Sequence, residues 1–299
     1  MQGAVQATDT QQKELTGKGA AVVSKEQKDY SKLAVTDNGI TITPETIIVD
    51  ENFAHIAFSV KGYDLAEGDE PGFDDWNIGV KDGKEGSSVQ AYGGFYDGIV
   101  SDENGNPVYE DGSSLKEDEQ GQIISHYVDE DGNLEYVASI GVEDWKDSLL
   151  GKTIVCKLKD LGTLYKTRFT LAKEGNWDFE IKLPDVSTAS NIKVAKGIEN
   201  TPFTVDDVEL SPISIKINYS VNGEVTFKED TNQVPQFLGV ILKDGKKISF
   251  LGDAGGTGYN EAMTEAYTLS SFVQVIEPDQ VQAIILRNDD GEQIEIPIR

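Results

Sequence analysis

His55 and His126 are the only histidines in the 299 residues, and Cys156 is the only cysteine. A hydrolytic triad needs a nucleophile, a base and an orienting acid within hydrogen-bond reach. His55 falls on the polar side of an alternating run, Ala54–Val60, and His126 lies in Ile123–Val128, just before Asp131-Gly132. Neither has a Cys or His nearby, so both read as ordinary sheet histidines. Gly-x-Ser-x-Gly, His-Glu-x-x-His and the phosphate-binding glycine loop are absent. Cys156 is in phase with Ile154 and Leu158, while Lys157 points to the other face. That register makes the thiol a small core hydrophobe rather than an activated nucleophile. The expectation is a protein with no catalytic residues.

Carboxylates are abundant, with 53 Asp and Glu. Among so many, a pair at glycosidase spacing arises by chance and identifies nothing. Two acidic turns, Asp102–Asn106 and Asp129–Asn133, offer oxygens at alternate positions, as calcium loops do. An EF-hand loop wants Gly at its sixth position and Glu at its twelfth. Counting from Asp102 those positions hold Pro107 and Ser113; counting from Asp129 they hold Leu134 and Ile140. Hairpin turns account for the same residues, so no metal site and no cofactor are expected. The remaining chemistry is aromatic. Tyr92-Gly93-Gly94-Phe95-Tyr96, with Trp76 upstream, sets rings beside glycines. Exposed rings of this kind bind sugars or protein partners, and buried ones fill a core. Trp76, Tyr92, Phe95 and Tyr96 are the candidate ligand-binding residues.

The elements that position these groups are strands. Ala54, Ile56, Phe58 and Val60 alternate with His55, Ala57 and Ser59; Ile213–Val221, Trp177–Leu183 and Ile294–Ile298 repeat the pattern. Period two puts one face in a core and the other in water, as in antiparallel sheets. Asp37-Asn38-Gly39, Lys81–Lys84, Asn104–Asn106, Asp131–Asn133, Asn222-Gly223, Lys243–Lys246 and Asp290-Gly291 supply the turns. Only Glu143–Leu150 and Asn260–Tyr267 leave room for a turn or two of helix. Short, numerous strands predict an all-β sandwich fold.

An internal repeat predicts two related modules. His55–Gly62 aligns with Lys216–Gly223 with Ile, Ser, Val and Gly in common, and Phe58 matches Tyr219. Val80-Lys81-Asp82-Gly83-Lys84 aligns with Leu242-Lys243-Asp244-Gly245-Lys246, and Phe179-Glu180-Ile181 with Ile294-Glu295-Ile296. The expected division is a polar tether over 1–34, a sandwich over 35–190 with extra residues between about Gly83 and Leu134, and a second sandwich over 191–299. Within the tether, Ser24–Ala34 has the pattern of a short helix with Tyr30 and Leu33 on one face.

Composition narrows the partners. The net charge is −27, which repels nucleic acid and anionic lipid. Hydrophobic residues make up 38%, enough for packed cores. No run of about 18 apolar residues occurs.

Val35–Thr43, followed by Glu45–Asp50 and Ala54–Val60, resembles the opening of a domain of unknown function in Firmicutes surface proteins. Gly151–Leu161 is similar to a later segment of the same domain, and residues 200–299 resemble the immunoglobulin-like domain that often follows it. The resemblance implies two immunoglobulin-like sandwiches on the extracellular face of the cell membrane, anchored by a transmembrane helix upstream of Met1. It also implies a regulator of the anti-sigma-factor type, paired with an extracytoplasmic-function sigma factor, and it brings no catalytic residues. The expected function is a non-catalytic extracytoplasmic sensor or interaction module with an extracellular ligand or protein as partner. The alternative is a cell-surface adhesion protein that holds carbohydrate or peptide. An acidic sandwich hydrolase stands outside both.

Overall fold

The computed structural model describes residues 30–298 except 67, 82–88, 102–105, 110, 119–120, 122, 130, 166–167, 224–232 and 250. Residues 1–29 of the expected tether, with the first part of the Ser24–Ala34 helix, the Asp82–Lys84 turn and most of the Asp102–Asn106 turn lie outside the described residues. Among those described, a 3-10 turn covers Ser31–Leu33, and Tyr30 and Leu33 pack against the first core. The chain separates into two units, one ending at Ser187 and the other running Thr188–Arg299.

The described residues of the first unit form ten strands: β1 (Val35–Asp37), β2 (Ile40–Val49), β3 (Phe53–Lys61), β4 (Glu70–Val80), β5 (Val89–Phe95), β6 (Ile99–Ser101), β7 (Pro107–Tyr109), β8 (Leu134–Val142), β9 (Thr153–Tyr165) and β10 (Arg168–Lys182). One sheet has the order β1-β2-β3-β8-β5, the other β10-β9-β4. Without β1, β6 and β7 this is the immunoglobulin arrangement of the constant type, A-B-E-D over C-F-G. Ile40, Ile42, Ile56, Phe58, Leu134, Tyr136, Cys156, Leu158 and Trp177 form the core between the sheets.

Strand β2 turns over part-way. Pro44 pairs with Phe58 and Thr46 with Ala57, so Glu45 is an extra residue. The buried set shifts from Ile40 and Ile42 to Ile47 and Val49 across that bulge. Pro44 is tolerated because β1 pairs only with Ile40–Ile42, so no ladder bond on that side asks the buried Pro44 for an N–H.

The described residues of the second unit form nine strands: β11 (Ser190–Gly197), β12 (Phe203–Leu210), β13 (Ser214–Val221), β14 (Gln236–Leu242), β15 (Lys247–Ser249), β16 (Gly252–Tyr259), β17 (Glu265–Phe272), β18 (Val281–Arg287) and β19 (Gln293–Pro297). The orders are β11-β12-β13-β17-β16 and β15-β14-β18-β19. This too is A-B-E-D over C-F-G, with β15 added beside C and β11 beside A. The three sequence repeats fall on topologically equivalent places: strand B (β3 and β13), the end of strand C (β4 and β14) and strand G (β10 and β19).

Neither short helix forms. Glu143–Leu150 is a run of bends and turns, because the buried Asn52 amide donates to the carbonyls of Trp145 and Asp147 at 3.0 and 3.1 Å. Asn260–Tyr267 is a turn entering β17. The Asn260 side-chain oxygen accepts the N–H groups of Thr264 and Glu265, which closes the chain on itself.

Candidate functional site

The two long sides of the first sandwich differ. On the side of β1 and β10 the sheets are stitched together. The Asp37 carboxylate accepts the Asn176 N–H at 2.9 Å, and the Asn38 amide donates to the Glu174 carbonyl at 2.8 Å. The fully buried Trp177 indole N–H donates to the Ile40 carbonyl at 3.2 Å. The irregular stretch of β10 is held from within as well, by Gly175 N–H on the Asp160 carboxylate. A side chain at Gly175 would strike the Trp177 ring, so glycine is required there.

The opposite side brings the edge strands β4 and β5 together, one from each sheet. Phe73 of β4 stacks on Phe95 of β5 at 5.3 Å, and both rings meet Tyr136. The candidate aromatics all lie on this side but do not share a face. Period two places Tyr92 outward, level with Ser139 and 55% exposed, whereas Phe95 turns inward to the core. Trp76 is level with Leu158 and Trp177 at the rim of the sandwich, 39% exposed. Tyr96 is half-buried just beyond β5. A flat sugar-stacking platform of all four is therefore not formed.

The β5 main chain carries information that side-chain reading missed. Tyr96 N–H donates to the Glu135 carbonyl at 2.9 Å. In an antiparallel ladder, hydrogen-bonded and non-bonded pairs alternate. Gly94 and Tyr92 therefore bond β8, and Phe95, Gly93 and Ala91 direct N–H and C=O away from it. Gly93 and Gly94 are exposed. The signal available in the sequence was the uncharged, proline-free run Val89–Phe95. Strand β4, beside this edge, carries the exposed Glu70, Asp74 and Asp75, with the exposed Lys159 of β9 level with Asp75. The Tyr127 hydroxyl is pushed above its ordinary range, chiefly by burial, with Glu70 and Asp97 adding to the effect.

Other candidate groups are structural. Cys156 is buried, and burial pushes its thiol up to about 12, with the Asp178 charge adding to the shift. His55 is not on a wet face. It is 8% exposed beside buried Ile48 and Ala57, and burial lowers its imidazole to about 4. The Asp129 carboxylate accepts N–H groups of Asp131 and Asn133 at 2.9 and 2.7 Å and so closes its own turn. Among the described residues no three His, Cys, Asp or Glu side chains gather as a metal site, and no helix is long and apolar enough to cross a membrane. His126 stacks on the buried Tyr109 ring at 4.0 Å within the segment between β5 and β8. The Tyr109 hydroxyl organises that segment, donating to the Ile124 carbonyl and accepting the Lys116 N–H.

No protein-family model matches the chain, and no curated protein is similar to it. A solved structure, the conserved domain protein from Bacillus anthracis, is similar to it at 12% identity with a TM-score of 0.46, over 91% of this chain and 94% of that one.

Proposed function

We propose that this protein is a non-catalytic interaction module whose first sandwich captures a partner along its β4–β5 side. The observation that carries the reading is the β5 edge: seven residues of uncharged strand, flanked by the exposed Tyr92 and Trp76 rings. Rings that offer a large apolar surface with a polar tip are favoured at protein interfaces. Because Tyr92 and Phe95 lie on opposite faces of β5, a partner made of polypeptide fits this side better than a flat sugar. The extracytoplasmic, membrane-anchored setting, and the link to a sigma factor, rest on the sequence resemblance alone.

The test is selection of random dodecapeptides on the whole chain, followed by affinity measurement on the double variant Trp76→Ala/Tyr92→Ala. The expected result is enriched peptides whose affinity falls at least about tenfold in the variant, as for loss of interface anchors. Unchanged affinity in a folded double variant would overturn the reading.

A further inference from the structure

Among the described residues, the edge strands are blunted in different ways, and one is not. Isolated edges carry a row of unpaired N–H and C=O groups that invite another strand, and natural sheets obstruct them with charge, proline, irregularity or brevity. Strands β1, β6, β7 and β15 are three residues long. Strand β10 has its Asn176 N–H and Glu174 carbonyl occupied by Asp37 and Asn38. Strand β11 carries Lys193 and Lys196 and slips register between them. Strand β16 contains Asp253 and an irregular step between Gly252 and Gly255. Strand β19 ends on Pro297, and β4 holds Pro71, Asp74 and Asp75. Among the described edges, β5 alone is long, uncharged, proline-free and in unbroken register, from Val89↔Val142 to Phe95↔Tyr136.

We propose that β5 is a docking edge for an extended, cationic peptide segment of a partner protein, which adds to the first sheet as a new strand beyond β5. This rests on the binding reading above and specifies its mode. The main-chain groups of Ala91, Gly93 and Phe95 supply the ladder, and alternate side chains of the incoming strand lie over Tyr92 on one face and Phe95 on the other. Gly93 and Gly94 leave room for close approach. No side-chain atom meets a Cβ built at Gly94, whereas Gly93 is kept small by the Tyr136 hydroxyl beneath it. The positive charge of the partner follows from the neighbourhood. Phe73 seats β4 against Phe95, so Asp74 and Asp75 stand next to that end of the edge, on a chain of net charge −27. A second copy of this chain would bring a like charge to the same edge, which opposes self-pairing.

The experiment uses the enriched dodecapeptides on the full chain, with amide hydrogen exchange read residue by residue. The expected peptides alternate β-branched residues with Lys or Arg. Their binding slows exchange at Ala91, Gly93 and Phe95, leaves the already bonded Tyr92 and Gly94 unchanged, and weakens as salt rises. Ala91→Pro removes an outward N–H while sparing the bonds to β8, so it should reduce affinity at least about tenfold with the fold intact. Gly94→Lys, a second variant that fills open space, should reduce affinity by charge repulsion. If peptides bind and lose affinity in Trp76→Ala/Tyr92→Ala but not in Ala91→Pro, the surface stands and strand addition is overturned. Peptides without basic residues would overturn the cationic partner. If no peptide is enriched, or if the chain instead dimerises with the same amides protected, the proposal fails. Failure of enrichment removes the binding reading as well.

Discussion

The two sandwiches share an A-B-E-D over C-F-G plan and differ in what they do with strand D. In the first, β5 runs straight, and the chain then detours through β6, β7 and the Tyr109–His126 stack before reaching β8. In the second, β16 is kinked at Gly255, whose φ of +148° suits glycine, and Asn260 turns the chain directly into β17. The B strands differ too. His55 is buried where its aligned residue, Lys216, pairs with Glu209 at 3.6 Å. One module therefore keeps its outer face polar and its D edge irregular. The other buries part of the same face and leaves the D edge regular. The difference teaches that a common core specifies the sandwich, while outer faces and edges are free to diverge.

The largest expected effects test whether the modules are separable. Trp177→Ala should cost the first module about 3–5 kcal/mol, because a fully buried indole and its cross-sheet hydrogen bond are both lost. Ile217→Asp should unfold the second by placing a charge in its core. Calorimetry should show each substitution removing one transition and leaving the other; a single transition that shifts as a whole would contradict independent modules.

A pH effect should follow, confined to the first module. The imidazole of His55 titrates at about 4 when folded and near 6.5 when unfolded. Between those values the unfolded chain binds the extra proton, so stability is full above about pH 6.5 and falls as pH drops toward 4, by roughly 3 kcal/mol. His55→Gln should flatten the difference in melting temperature between pH 7 and pH 4.5. Equal slopes in variant and parent would show that the imidazole is hydrated.

Smaller still is the relation between Tyr136 and Gly93. The Tyr136 hydroxyl is buried, finds no hydrogen-bond partner and lies where a Cβ on Gly93 would go. Gly93→Ala should destabilise by about 1–3 kcal/mol through overpacking. Tyr136→Phe should be neutral or stabilising by about 1 kcal/mol, since it deletes an unsatisfied hydroxyl. Combining them should recover most of the loss, measured by denaturant midpoints; additive costs would show that the two residues do not meet.

The smallest effect belongs to the ion pairs of strand G. Lys81–Glu180 at 2.6 Å and Lys247–Glu295 at 2.5 Å use aligned glutamates in the two modules. Both pairs are about half exposed, so deleting either lysine should cost less than about 1 kcal/mol. The second pair spans its sheet above Ile241, Ala283 and Ile285, because Lys247 stands opposite Ile241 and Glu295 opposite Ile285. Lys247→Ala should therefore increase binding of an apolar dye more than Lys81→Ala does.

The all-β sandwich was legible because Ile56, Phe58, Ile217 and Tyr219 alternate without interruption, and burial of one sheet face imposes that period. The position of His55 was not, because alternation assigns faces without saying whether the second face is covered; Phe53 and Ala57 in the same phase as His55 were the unused signal. The ring cluster at Tyr92–Tyr96 was visible as composition. Its split across two faces follows from the odd spacing of Tyr92 and Phe95 once β5 is a strand. The open edge was hardest to see, since main-chain groups have no letter in a sequence, and only the absence of Lys, Glu and Pro marks them.

The bonds from Asp37 and Asn38 to β10 join residues 139 and 136 positions apart. At about 5–20 residues per second, a ribosome takes roughly 7–28 s to deliver Asn176 after Asp37. During that interval the first sheet exists without the strand that seals its flank, and its apolar inner face is open to any neighbouring nascent chain. The bonds of Ser220 to Asp206 and Asn218 to Asp207 lie within the β12–β13 hairpin of the second module, span only 14 and 11 positions, and form within a few seconds of synthesis. A bond between near neighbours forms while its strands are still being made, whereas the flank of the first sandwich stays open until strand G has emerged.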